Sequence, residues 1–327
     1  MLEYPWHAGV WQRLAGQDAF AHAYLFSGPS GIGKRALAER LMAFLLCQRP
    51  AGSDACGQCK ACLLLAAGTH PDRFLLQPEE ADKAIRVDQV RDLVGFVTQT
   101  AQLSGRKVVL LEPAEAMNIN ASNALLKSLE EPSGNTVFLL VSHRPSQLLP
   151  TIRSRCIQQA CPLPTPEQAR QWLEARLSPE DRALAGDLLE IAAGSPIVAL
   201  RLHAEGVLAM RAKVVDSLKQ LLKQQLSPSQ AAESWNAYPL LLLFDWFADW
   251  VHRILRQQLA GNESSTEPAD MAKVIEYLAQ KAPQARVLDL QDWILAHRQK
   301  VLNKANLNRG LLLEALLVRW ASLLGPG

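Results

Sequence analysis

At 327 residues, 49% of them hydrophobic and 20% charged, the chain has apolar content for two or three cores, since single cores stop growing near ~250 residues. Its 34 lysines and arginines stand against 32 acids, a formal charge of +2 that argues against nucleic-acid binding by bulk charge. The start, MLEYPWHAGVWQRL, lacks the basic head and apolar run of a secretory signal, so a cytoplasmic location is expected.

From 1 to about 160, short apolar runs alternate with amphipathic helical patterns, as in an α/β unit. AYLFSG (23–28) reads as the first strand, and RALAERLMAFLLC as the helix after it. Between them lies GPSGIGK, in which Gly28, Gly33 and Lys34 stand in the G-x-x-x-x-G-K register of a phosphate-binding loop, with Gly31 inside it. Backbone N–H groups of such a turn cradle an anion, and the lysine adds a point charge. The next residue normally lends a hydroxyl to Mg²⁺. Here it is Arg35, which cannot coordinate a cation.

Cys47, Cys56, Cys59 and Cys62 follow as C-x8-C-x2-C-x2-C. Four thiolates at this spacing can surround tetrahedral Zn²⁺ with no vacancy for water, which predicts a structural site; four reduced buried thiols are the alternative. Cys156 and Cys161 read as packing residues, and His70 as a turn residue.

Farther on, VDQVRDLVGFV predicts a helix with Val87, Val90, Val94 and Val97 on one side, and KVVLLE a buried strand. In phosphate-loop enzymes that strand ends in a metal-binding acid, and in the hydrolysing branch a second acid orients water. This chain has Glu112 at the first position and Pro113 at the second, and proline can orient nothing. Glu115, two residues on, reads as a surface carboxylate at a helix start. SNALLKSLEEP predicts a helix ended by Pro132, and TVFLLVS (136–142) a central strand covered on both faces.

CPLPTPEQ (161–168) reads as a linker. Beyond it only helical periodicity appears, interrupted near Gly194 and Pro196 and at the polar stretch 262–270. LLLLFDWFADWVHRIL (240–255) contains Asp245, Asp249 and Arg253 and reads as a buried helix instead of a membrane span.

GPSGIGK, the cysteine cluster, SNALLKSLEEP, TVFLLVSHRP and TIRSRC, in that order, resemble the clamp-loader branch of the AAA+ proteins. AAGSP and the helical end also fit, so the resemblance spans nearly the whole chain. It implies an α/β AAA+ domain (1–162), a parallel sheet between helices carrying a zinc module at about 47–62. A small helical lid domain (163–205) and an all-α collar domain (206–327) would follow.

Active motor subunits of that branch carry Lys-Thr or Lys-Ser in the loop, Asp-Glu after the apolar strand, and an arginine after the later Gly-Ser. The present chain has Arg35, Pro113 and Ile197 at these places. The resemblance therefore implies a non-hydrolysing subunit whose degenerate loop (Gly28, Gly31, Gly33, Lys34) does not turn over Mg-ATP. Arg155, in Ser154-Arg155-Cys156, matches the arginine finger that reaches into a neighbour's ATP site. The implied partners are motor subunits of the gamma/tau type and a delta-type subunit in a five-membered ring, with the sliding clamp and primed DNA, and no membrane. An active AAA+ ATPase is the competing expectation, motivated by Lys34 and opposed by Pro113. A zinc-dependent nucleic-acid binder is a third, opposed by the near-zero charge.

Overall fold

The continuous apolar runs become the inner strands of a five-stranded, all-parallel sheet. The computed structural model describes residues 4–80, 83–260, 271–302 and 305–325. The polar stretch expected to form a loop at 262–270 lies outside them. Strands β1 (Ala23–Ser27), β2 (Arg73–Leu76), β3 (Lys107–Leu111), β4 (Thr136–Ser142) and β5 (Ile157–Ala160) take the order β2-β3-β4-β1-β5. Ala23 pairs with Phe138, Lys107 with Thr136, and Tyr24 with Ile157.

Burial on both faces explains why β1, β3 and β4 are apolar apart from a residue at their ends. Leu25, Val109, Leu111, Phe138 and Leu140 point to one core, shared with Val90 and Leu93 of α4 (Val87–Thr98) and Leu125 and Leu129 of α5 (Ile119–Glu130). Their alternate neighbours, Tyr24, Phe26, Val108, Leu110, Leu139 and Val141, point to the other. That core is closed by Val10, Trp11 and Leu14 of α1 (Ala8–Ala15) and Leu37, Leu41 and Leu45 of α2 (Lys34–Leu46), after which comes the short α3 (Lys60–Ala66). Of the four valines expected to align on α4, Val90 and Val97 are buried, while Val87 and Val94 are half-buried, because Leu93 takes the centre of the contact.

A buried carboxylate shapes the loop before β3. Asp72 accepts backbone hydrogen bonds from Gln102 (2.6 Å), Leu103 (2.8 Å) and Ser104 (2.8 Å), which hold its pKa down against burial. The Ser104 hydroxyl donates to Leu46 O at 2.8 Å, so this loop is tied to the residue preceding Cys47.

Two compact units divide the chain, 1–201 and 202–327. After β5 the first contains α7 (Pro166–Glu174), started by a Thr165 and Gln168 capping box, then α8 (Ala185–Ile191) and the first two-thirds of α9 (Pro196–Ala204). Among its described residues the second unit contains helices and the turns between them, and no strand. Leu240–Ala260 forms one helix whose Phe244, Phe247, Trp250 and Ile254 recur at helical spacing and are fully buried. Phe247 meets Trp320 edge-on, with ring centroids 5.1 Å apart. Asp245, on the same helix, is paired with Arg298 at 2.5 Å. Among the described residues no single helix is long and apolar enough to cross a membrane.

Candidate functional site

The phosphate-type loop leaves β1 at Gly28 and enters α2 at Lys34, at the carboxyl edge of the sheet where open α/β folds place their sites. Three glycines are required by their surroundings: at Gly28 (φ 151°) a Cβ would lie 2.6 Å from the backbone oxygen of Cys161. Gly31 (φ 74°) is packed so closely on α9 that a Cβ would lie 2.4 Å from Val198 Cγ2, and Gly33 (φ 82°) would bring one to 2.5 Å from the Tyr4 ring. The loop is held further by Trp6 Nε1 donating to Ile32 O (2.8 Å), by Ile197 N donating to Gly31 O (3.2 Å) and by Ser195 Oγ donating to Ser30 O. Lys34 is buried and turned back on the loop, its amine donating to Gly28 O (2.7 Å) and Pro29 O (2.5 Å). Burial lowers its pKa to about 8, against the pull of nearby acids.

The groups around Arg35 and Glu112 decide what this pocket can do. Arg35 Nη1 lies 3.2 Å from Glu112 Oε2, while its Nε donates to Glu39 at 2.9 Å. Burial raises the Glu112 pKa, and Arg35 is the chief opposing influence. His143, at the end of β4, brings Nε2 to 4.0 Å from Glu112, and burial together with Lys34 lowers its pKa. Pro113 follows Glu112 and offers no donor or acid. Glu115 lies in the first turn of the short 3-10 helix Ala114–Ala116, the helix start expected of it, but it is half-buried, and its carboxylate accepts the backbone N–H of His143 at 2.9 Å.

A cavity of about 440 Å³ joins these groups, bordered by Tyr4, Lys34, Arg35, Glu112, His143 and Arg201. The position that would carry a coordinating hydroxyl holds a guanidinium, and that guanidinium is paired with Glu112, the acid at the end of β3.

Arg155 lies elsewhere. It follows α6 (Pro150–Arg153) and borders a second cavity of about 670 Å³ with His22, which precedes β1, and Ile157, which starts β5. The loop lysine follows the far end of β1. A five-residue strand spans about 16 Å, so Arg155 cannot reach its own chain's loop. Its Nη2 pairs with Glu130 and its Nη1 donates to Thr151 O at 2.8 Å.

The four clustered cysteines come together. Their sulfurs all lie within 4.8 Å of one another, with Cys47 Sγ 3.6 Å from Cys56 Sγ and 3.9 Å from Cys59 Sγ. Tetrahedral Zn–S bonds of 2.3 Å imply sulfur separations of about 3.8 Å, so the cluster could hold a metal such as zinc. The x2 gaps act through the backbone, as Cys59 N donates to Cys56 Sγ (3.4 Å) and Cys62 N to Cys59 Sγ (3.5 Å). Burial opposes a thiolate at Cys59, but N–H groups of Cys62 and Gln48 and the adjacent thiols outweigh it and bring the pKa to about 6; burial pushes Cys62 to about 12. Cys156 and Cys161 are buried in the sheet cores, away from this group. His70 accepts Asp72 N–H at Nδ1 (3.0 Å), as a turn residue does.

Tyr4, Glu39, His143, Arg201 and Glu130 were not singled out by motif. His143 could have been, since it follows an apolar strand whose carboxyl end faces the loop. Arg201 lies one helical turn beyond Ile197 on α9, so an arginine does border the cavity, although the position after Gly-Ser lacks one.

The sequence profile of the family "DNA polymerase III, delta subunit" matches residues 7–163, and that of "DNA polymerase III, delta subunit, C terminal" matches 205–322. DNA polymerase III subunit delta' of Pseudomonas aeruginosa is 66% identical over 324 residues, covering 99% of each chain. The subunit delta' of Escherichia coli is 32% identical, covering 100% of this chain and 98% of the relative. The similarity to DNA polymerase III subunit tau of Salmonella typhimurium, 38% over 160 residues, covers 49% of this chain and 24% of that protein.

Proposed function

This chain belongs to the DNA polymerase III subunit delta' family, and from that premise we propose that it serves the clamp loader without hydrolysing ATP. In this role it lends Arg155 to the ATP site of a neighbouring motor subunit of the gamma/tau type. A delta-type subunit would complete a five-membered ring that opens the sliding clamp and places it on primed DNA, in the cytoplasm.

One observation carries the proposal: the Arg35 guanidinium on Glu112. Hydrolysis needs a metal to offset developing charge and a group to orient water. Here a side chain has taken the metal's place, and Pro113 cannot orient water. The separation of Arg155 from its own loop supports action in trans. A guanidinium is suited to that task because it is planar, always charged and able to grip a phosphate by two bonds.

The remaining parts would be structural. Cys47, Cys56, Cys59 and Cys62 would hold Zn²⁺ with no open position, which suits bracing and not hydrolysis. Residues 163–205 would form the lid, and 206–327 the collar that joins subunits.

Steady-state ATP turnover by the purified chain, alone and mixed with motor subunits, tests the proposal. The chain alone should show none above background. Turnover alone at ~1 s⁻¹ or faster, the usual range for enzymes, would contradict it.

A further inference from the structure

We propose that Glu130 is the positioning residue for the Arg155 finger. The proposal rests on the trans role of Arg155 given above and adds the group that aims it. Two separate elements create the pair: Glu130 is the last residue of α5, and Arg155 follows α6. Pro132 prevents α5 from continuing, which fixes the height of Glu130 along the sheet edge.

The contacts divide the guanidinium in a useful way. Nη2 pairs with the Glu130 carboxylate and Nη1 donates to Thr151 O at 2.8 Å. Each terminal nitrogen is therefore engaged once, and of the five N–H groups of arginine three are left to receive a phosphate. A long, rotamer-rich side chain held at two points has already lost much of its freedom before a ligand arrives, so less is lost on engagement.

Stability alone does not explain the pair. The side chains are 32% and 47% exposed, and ion pairs at such exposure contribute little to folding. A carboxylate in the last turn of a helix is also opposed by the helix dipole, a cost that the guanidinium offsets. What the pair does set is direction: Glu130 and Arg155 both border the open cavity beside Ile157, where a neighbour's phosphate would have to enter.

The test is a double-mutant cycle in the reconstituted clamp loader, with the ATP sites that do not adjoin this chain disabled. Glu130→Ala should leave subunit stoichiometry intact. It should lower kcat about three- to tenfold with KM for ATP unchanged, as for an interaction made in the transition state. In an Arg155→Ala background the same substitution should add no further loss, because its effect passes through Arg155. Wild-type kcat in Glu130→Ala, a rise in KM at constant kcat, or an equal loss in both backgrounds would overturn the role of Glu130 and leave the finger standing. Wild-type turnover in Arg155→Ala alone would remove the finger, and the role of Glu130 with it.

Discussion

Arg35, the residue after the loop lysine, reaches across the carboxyl edge of the sheet and sets its guanidinium 3.2 Å from the carboxylate of Glu112. The positive charge beside the strand-end acid is thus part of the polypeptide. It cannot be exchanged with solvent, and its planar fork bridges Glu112 and Glu39.

Replacing this cation should reopen the place of the metal. Arg35→Ser restores the hydroxyl of a standard phosphate loop and leaves Glu112 without its partner. Affinity for ATP, followed by fluorescence of a labelled nucleotide, should rise on the order of tenfold in Mg²⁺ and little in EDTA, the gain expected of one restored charge interaction. No turnover should appear, since Pro113 is unchanged. Equal binding by the variant and the parent in Mg²⁺ would show that Arg35 is not what excludes the metal.

Removing the metal from the cysteine cluster should weaken the first unit. With one Zn²⁺ per chain lost to a chelator, a loss of about 3 kcal/mol would lower the Tm of a unit of some 200 residues by roughly 6–12 °C. Because burial otherwise keeps the Cys62 thiol protonated, with a pKa of about 12, refilling the site at pH 7 should release protons, measurable as a buffer-dependent heat of binding. A chain that purifies without zinc and melts identically with chelator would refute the assignment.

Mild acid should destabilise the fold through its buried histidines. His7 is buried, its Nε2 has no hydrogen-bond partner among the described residues, and burial followed by the charge of Lys34 lowers its pKa to about 4. In the unfolded chain it titrates near 6.5. Protons therefore bind the unfolded state first between these values, so the stability due to neutral His7 is complete above pH 6.5 and is lost as pH falls toward 4. The contribution is about 1–3 kcal/mol. Urea unfolding at pH 7 and pH 4.5 should show this drop, and His7→Gln should shrink it; an undiminished drop in the variant would assign it to His70 and His143, which shift in the same direction.

Much of the sheet was legible because burial on two faces writes itself as unbroken apolar runs. AYLFSG, KVVLLE and TVFLLVS became β1, β3 and β4 within a residue. The two edge strands were not foreseen. β2 has four residues, and β5, Ile157–Ala160, is mostly exposed and carries two glutamines, so neither shows a strand period. At the site, spacing revealed the loop and the thiols, since both are local in sequence. The Arg35–Glu112 and Arg155–Glu130 pairs join residues 77 and 25 positions apart, and such a pairing becomes visible only once strand order is known. The contact of Glu115 with the backbone of His143, on another strand end, is hidden in the sequence for the same reason.

The most direct measurement of the central claim is ATP turnover at the motor site adjoining this chain, in reconstituted complexes carrying either the parent or Arg155→Ala and with the other sites disabled. Fingers supplied in trans are worth on the order of 10³ to 10⁵ in related NTPases, so turnover should fall by about 10³ while the subunit stoichiometry stays the same. Undiminished turnover in the intact Arg155→Ala complex would contradict the account.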